Sequence, residues 1–285
     1  PLIIRGTNYI SPIKYLENKG SAQCKSSVML AALNAPGKTI IKAKKSRDHT
    51  EIFFKYLKVP IKIKKTEEHD LIEVYGKNQF KSFNYNIPSD VSSSAFFIVL
   101  TLLSKNSSLL IKGVNINPSR IGIIKILNKM GAKISFKNQK IYKGEKISDI
   151  FVKSTNSLKS INCPIKYNSS AIDEFLIIFL VAAKSKGISY FKNLSELNQK
   201  ESPRLKLGSK ILNKIGIKTK TTKDSIKIYG NPKISLHKRV KIKNFMKDHR
   251  IFMMSTIAAL TFGGNWKIYD KDSIKTSFPT FLKII

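Results

Sequence analysis

The sequence predicts an α/β (α+β) protein built from repeated βαββαβ units, and two observations carry that expectation. Ile-Leu-Asn-Lys-Met-Gly at 126–131 returns as Ile-Leu-Asn-Lys-Ile-Gly at 211–216, an offset of 85 residues, each time followed by an alternating, strand-like run. Around each match one order recurs: a Ser/Ala-rich helical start, a turn, a short strand, a loop ending in Arg, a second helix and two strands. Such regular alternation suits neither an all-α nor an all-β chain.

The first copy predicts a helix from Ala22 to about Leu33, a turn at Pro36 and Gly37, a strand at Thr39–Lys42 and a helix after Arg47. Ile52, Phe53, Tyr56 and Leu57 give that helix one apolar face at helical spacing. A second copy begins at Ser92, with Ile123, Ile124, Leu127 and Met130 on one side of its second helix and a strand-like alternation at Ala132–Ser135. The third starts near Ala171, turns at Gly187 and places its second helix from about Arg204 to Ile215. A fourth, partial copy starts at Asp248 and turns at Gly263 and Gly264. Leu2, Ile3 and Ile4 read as a strand already in progress, with no signal-peptide pattern, so the natural start is expected upstream. Turn formers and a proline at Tyr85–Asp90 predict a domain junction, dividing 1–85 from 86–285.

With 285 residues and 42% apolar composition the chain can bury ordinary cores. Its longest apolar runs, Ala95–Leu100 and Phe175–Ala183, are far short of the roughly 18 residues that span a bilayer. No membrane partner is expected. Cys24 and Cys163 are too few for a disulfide framework and too far apart for a metal motif, which predicts buried or half-buried thiols in a reducing cytoplasm and no metal site. The formal charge of +34 suggests nucleic acid. Its texture does not: only six of the 52 basic residues are arginine, and lysine is scattered through nearly every segment without basic helices or interleaved aromatics. No nucleic-acid partner is expected.

Four of the six arginines, Arg47, Arg120, Arg204 and Arg250, follow a loop and open an apolar helical segment. A planar guanidinium beside the free N–H groups of a helix start suits carboxylates and phosphates. Ser21-Ala22-Gln23-Cys24-Lys25-Ser26 adds hydroxyl, amide and backbone donors at one such start, readable as a cap or as a phosphate site. Ser46-Arg47-Asp48-His49-Thr50-Glu51 is denser, with His49 read as a structural hydrogen-bonder. Ser89–Ser94 reads as a capped helix start without chemistry. Asp173 and Glu174 open an almost wholly apolar helix, either as dipole partners or as carboxylates in a cleft. Lys200-Glu201-Ser202-Pro203-Arg204 sets a general-acid candidate between two cations, and Lys247-Asp248-His249-Arg250 repeats the theme.

Taken in order, these clusters resemble the EPSP synthase family, which carries Ser-Ala-Gln-x-Lys-Ser (in its bacterial class), Arg-Asp-His-Thr-Glu, Ile-Asp-Glu, Lys-Glu-Ser-Asp-Arg and Asp-His-Arg-Ile stretches. The resemblance runs from Ser21 to Ser277-Phe278-Pro279. It implies an inside-out α/β barrel of two domains, the first incomplete here because the chain is truncated at its N-terminal side, with 1–85 completing that domain. It implies enolpyruvyl transfer from phosphoenolpyruvate to the 5-hydroxyl of shikimate 3-phosphate, without a cofactor, by a cytoplasmic enzyme that is monomeric when full length. Ser21, Ala22, Gln23 and Arg47 would contact shikimate 3-phosphate, with Gln23 also near phosphoenolpyruvate. Asp173 would serve as acid/base at the 5-hydroxyl, Lys200 as a substrate-binding catalytic lysine and Glu201 as proton-transfer partner of the methylene carbon. Arg204 and Arg250 would clamp phosphoenolpyruvate. Pro203 stands where the family has Asp, and Asn198 where many members have Arg. The family's N-terminal Lys-Ser pair and Asn-Ser-Gly-Thr phosphate loop have no counterpart, so the chain alone is expected to be inactive. Other readings are the related UDP-N-acetylglucosamine enolpyruvyl transferase, a degenerate homologue, and a non-catalytic basic protein that binds nucleic acid.

Overall fold

The computed structural model describes residues 3, 5–76, 79 and 81–285. They form two compact units, Pro1–Ile87 with Ile141–Lys146, and Pro88–Lys140 with Ile147–Ile285. Of the strand expected at the start, Leu2 and Ile4 lie outside the described residues, and Ile3 is in no strand.

The first unit runs β1 (Lys14–Glu17), α1 (Ala22–Ala32), β2 (Lys38–Lys44), α2 (His49–Tyr56), β3 (Ile61–Lys65) and β4 (His69–Tyr75). Its sheet has the order β1-β2-β4-β3, with β1 parallel to β2 and the other pairs antiparallel. Alternation in Lys38–Lys44 sends Ile41 and Ala43 inward, where they meet Ile72 and Val74 of β4 and Met29 and Ala32 of α1. The apolar face read for α2 is not the one that is most deeply buried. Phe54 enters the core and Glu51 is buried beside it, whereas Ile52 and Phe53 are half-buried and Tyr56 is exposed. Apolar residues on both sides of a two-turn helix leave the choice to packing. Phe53 instead meets Phe83 and Tyr85 edge to face, at ring separations of 5.1 and 5.5 Å.

The second unit contains α3 (Val91–Leu103), β5 (Ser108–Asn115), α4 (Gly122–Lys129), β6 (Lys133–Tyr142), β7 (Glu145–Lys153), α5 (Asn168–Ala171), α6 (Phe175–Lys184), β8 (Gly187–Phe191), α7 (Arg204–Lys214), β9 (Thr219–Thr221), β10 (Ile226–Gly230), β11 (Leu236–Ile242), α8 (His249–Phe262), β12 (Gly263–Ile268) and α9 (Phe281–Ile284). The tip of the β6–β7 hairpin belongs to the first unit. Nine consecutive residues of α6, Phe175 to Ala183, are buried, as a helix apolar all round requires. Around it pack α3, α4, α7 and α8. Gly208 lets α7 approach α6: a Cβ there would stand 2.8 Å from Leu176 Cδ2.

Each full copy forms helix, strand, helix, strand, strand in the expected order, and the third strand always lies between the first two: β2-β4-β3, β5-β7-β6 and β8-β10-β9. A leading segment pairs parallel with each first strand, as β1 on β2, Ser89 against Val114 of β5, Asn162 against Tyr190 of β8, and β11 on β12. The repeat read from the hexapeptides is therefore a repeat of topology. Among the described residues no helix is long and apolar enough to cross a membrane.

Candidate functional site

In the second unit the helix starts converge on Asp173, which lies in the turn between α5 and α6 with its side chain 10% exposed. Arg120 Nη1 stands 3.6 Å from its Oδ2, while Lys200 Nζ and Arg204 Nη1 stand 3.6 and 3.8 Å from its Oδ1. Arg250 Nη1 donates to the Asp173 main-chain oxygen at 2.8 Å. Of the residues singled out for this half, Asp173, Lys200, Glu201, Arg204 and Arg250 are thus brought together. Arg120, an arginine at a helix start without an assigned role, joins them.

Every cation here is also held by a carboxylate other than that of Asp173. Arg120 pairs with Asp90 at 3.2 Å and donates to Ser92 Oγ. Lys200 pairs with Glu196 at 2.7 Å. Arg204, 1% exposed, bonds Asp248 through Nε at 2.9 Å and Glu201 through Nη2. Arg250 lies 3.6 Å from Glu174. Six of the chain's 18 acidic residues are gathered around four cations, so the cluster holds more carboxylates than cations in a protein of charge +34.

The inner pairs differ from the outer ones. Asp248 is fully buried and caps α8, accepting from Arg250 N at 2.9 Å while Ser202 Oγ donates to its Oδ2 at 2.7 Å. Burial works to raise its carboxyl, but the Arg204 bond and charge, helped by Ser202 and the α8 amide, hold it below the ordinary carboxylate value. Glu174, also buried, goes the other way: burial lifts it above the ordinary range against the pull of Arg250 and Arg120. Its Oε1 accepts from Ser92 Oγ. Burial, then the neighbouring Arg250, lowers His249. Glu201 and Glu196, by contrast, are half-exposed.

The Ser89–Ser94 stretch is a capped helix start, as expected, and its Ser92 does more than the cap requires. Asp90 does cap α3, accepting from Ser93 N at 2.9 Å, but Ser92 links Arg120 to Glu174 inside the ionic cluster. Only the long-range pairing reveals this, since the local pattern is that of any capped helix. At the start of α7, Pro203 offers no side-chain cap. Asn198 substitutes in part: its Oδ1 accepts from Lys206 N at 3.4 Å.

In the first unit Ser21 caps α1, its Oγ accepting from Cys24 N at 3.2 Å. Ser21 and Ala22 are half-buried, Gln23 is exposed, and Arg47 is half-buried just ahead of α2. His49 bonds Glu145 through Nδ1. Cys163 is buried, with its thiol pushed up to about 11 by burial, whereas Cys24 is exposed, contrary to expectation, because it points outward from the first turn of α1. Among the described residues no cluster of His, Cys, Asp or Glu is arranged to hold a metal.

Comparison with known proteins agrees in one direction. The family model described as EPSP synthase (3-phosphoshikimate 1-carboxyvinyltransferase) matches residues 1–285. Proteins named 3-phosphoshikimate 1-carboxyvinyltransferase from Petrotoga mobilis and Ruthia magnifica are each 39% identical over 285 residues, covering all of this chain and 64% of their own length. The chain thus spans a little under two thirds of these curated relatives. An EPSP synthase structure from Acinetobacter baumannii superposes with a TM-score of 0.87 at 34% identity, covering 97% of this chain and 62% of that one. The enolpyruvyl transferase NikO from Streptomyces tendae, at 14% identity and a TM-score of 0.69, shares the fold. Of the readings left open by the sequence these likenesses favour the first. With a match along its whole length and five ordered motifs that resemble the family's, the chain belongs to the EPSP synthase family.

Proposed function

We propose that this chain supplies part of an enzyme that transfers the enolpyruvyl group of phosphoenolpyruvate to the 5-hydroxyl of shikimate 3-phosphate, releasing phosphate. The observation that carries the reading is the convergence of Arg120, Lys200 and Arg204 on Asp173, with Glu201 bonded to the same Arg204. Two polyanions must be held side by side, and fixed guanidinium groups suit that task. Asp173 would take the 5-hydroxyl proton as that oxygen bonds C2, while Glu201 protonates the methylene carbon. Loss of a methyl proton would then expel phosphate from the tetrahedral intermediate and restore the double bond.

The split between inner and outer pairs adds a step. The Arg204–Glu201 and Lys200–Glu196 pairs have half-exposed carboxylates, and such pairs are worth only about 0–1 kcal/mol. An incoming carboxylate or phosphate can displace them, taking the outer nitrogen of Arg204 and freeing Glu201 for proton transfer. Arg204–Asp248 and Arg250–Glu174, with buried carboxylates, would stay and keep the guanidinium groups in place. Ser21, Ala22, Gln23 and Arg47 would bind the phosphate of shikimate 3-phosphate, through helix-start donors and a guanidinium. The accompanying reading is a cytoplasmic monomer with soluble substrates and no nucleic-acid partner.

The test is phosphate release by the protein expressed from its complete reading frame, given phosphoenolpyruvate with and without shikimate 3-phosphate. Release that requires both is expected. No release from a folded protein would overturn the reading.

A further inference from the structure

Lys25 and Glu51 lie in the two motif stretches of the first unit, yet neither faces solvent: their side chains are 1% and 4% exposed, with Nζ 2.6 Å from Oε1. Lys25 is one turn along α1 from the capping Ser21, and Glu51 is in the first turn of α2. Lys25 Nζ also donates to the main-chain oxygen of Arg47 at 2.8 Å, and Ser26 and Thr50, the sequence neighbours of Lys25 and Glu51, join hydroxyls at 2.6 Å. The starts of α1 and α2 are therefore cross-braced beneath the surface.

Burying a lone ion pair is a costly way to join two helices, because desolvation offsets most of the mutual attraction and an apolar pair of similar volume serves stability as well or better. Glu51 Oε2 underlines the cost, being buried without a hydrogen-bond partner. What an apolar pair cannot do is hold a carbonyl. The ammonium has three donors, and one of them fixes the backbone of the residue that carries the guanidinium.

We infer that Lys25, neutralised by Glu51, is a positioning residue that sets the spacing between the N-terminal donors of α1 and the Arg47 guanidinium, so that both grip one phosphate. This rests on the reading that Ser21–Gln23 and Arg47 bind shikimate 3-phosphate. Arg47 would keep its charge without the brace but lose its register with α1.

The decisive variant is Lys25→Met combined with Glu51→Leu, made in the protein from the complete reading frame. Removal of both buried charges leaves its thermal midpoint at or above the parent's. Its KM for shikimate 3-phosphate rises about tenfold or more, as a misplacement near 1 Å can produce, while its KM for phosphoenolpyruvate stays within about twofold. A folded variant with an unchanged KM for shikimate 3-phosphate overturns the inference. A second variant, Glu51→Gln, keeps an acceptor for Lys25 and the bond to Arg47, and its KM is expected within about threefold of the parent's; a rise as large as in the double variant would place the effect in the charge and also overturn it. Absence of turnover in the parent would count against the transferase reading alone. In that case inorganic phosphate titrated into the 285-residue chain still tests the brace: the amide resonances of Ala22 and Gln23 and the Arg47 side chain follow one binding curve in the parent and separate in the double variant, and a common curve in both refutes it.

Discussion

The two units brace their anion-suited helix starts in different ways. In the first, a single lysine and a single glutamate, both nearly sealed from water, tie main chain to main chain and leave the proposed binding groups to one side. In the second, the arginines placed at the proposed site are themselves held, each by a carboxylate behind it, and Asp173 stands where three cations meet. On the proposed roles, the contrast follows from what each would have to hold. A phosphate gripped by helix-start amides needs its backbone fixed. A cluster of guanidinium groups repels itself and needs buried negative charge in fixed places.

The largest effect is expected at Arg204. Arg204→Met leaves Asp248 buried without its cation and should cost about 3–5 kcal/mol, read by urea unfolding of the second unit's signal. Glu201→Gln removes a negative charge beside the same guanidinium but should cost less than about 1 kcal/mol, the Glu201 carboxylate being 57% exposed. Equal costs would erase the inner–outer distinction. A pH signature accompanies it. Because folded Asp248 titrates below the ordinary carboxylate value, its contribution is present above that value and is lost as pH falls through the folded one. Arg204→Met should flatten that acid limb.

The repeat, the order of elements and the helix starts could be read from the chain because they rest on local signals: the returning hexapeptide, period-two strands, and polar clusters before apolar runs. Asp173, Glu201 and Arg250 stood out for the same reason. Lys25–Glu51 did not, since 26 positions separate the partners and a lysine one turn into a helix normally reaches solvent. Ser92 was invisible as well, its role depending on Arg120 and Glu174, 28 and 82 positions away. Asp248 was noticed beside Arg250 in sequence, but its grip on Arg204 is tertiary. In α2 the choice of Phe54 over Ile52 and Phe53 was settled by packing against β2 and β4, which no periodicity in eight residues can report.

A middling effect is expected at Ser92, where the comparison can be sharpened. Ser92→Ala removes the hydroxyl between Arg120 and Glu174 and should cost about 1–2 kcal/mol. Glu174 already titrates above the ordinary value, so its contribution is largest at low pH and is withdrawn as pH rises through the folded value. Loss of the Ser92 bond, one of the influences that lowers it, extends that withdrawal upward. Thermal midpoints measured across pH 4–8 should therefore diverge between variant and parent with rising pH; parallel curves would mean that Glu174 does not depend on Ser92.

The smallest effect is expected at Pro203, and its sign is the informative part. Aspartate at the cap of α7 would accept a first-turn amide, a gain of about 1 kcal/mol, but loss of proline frees the unfolded chain and returns about 0.4–1 kcal/mol. Pro203→Asp should thus lie near zero. The content is in its coupling to Asn198, whose Oδ1 already accepts from Lys206 N. With Pro203 present, Asn198→Ala removes the side-chain acceptor at this helix start and should cost roughly 0.5–1 kcal/mol; in the Pro203→Asp background the carboxylate competes for the same amide and the cost should fall by at least half. Equal costs in both backgrounds would show that Asn198 is no substitute cap, and that α7 presents Arg204 without side-chain help at its first turn.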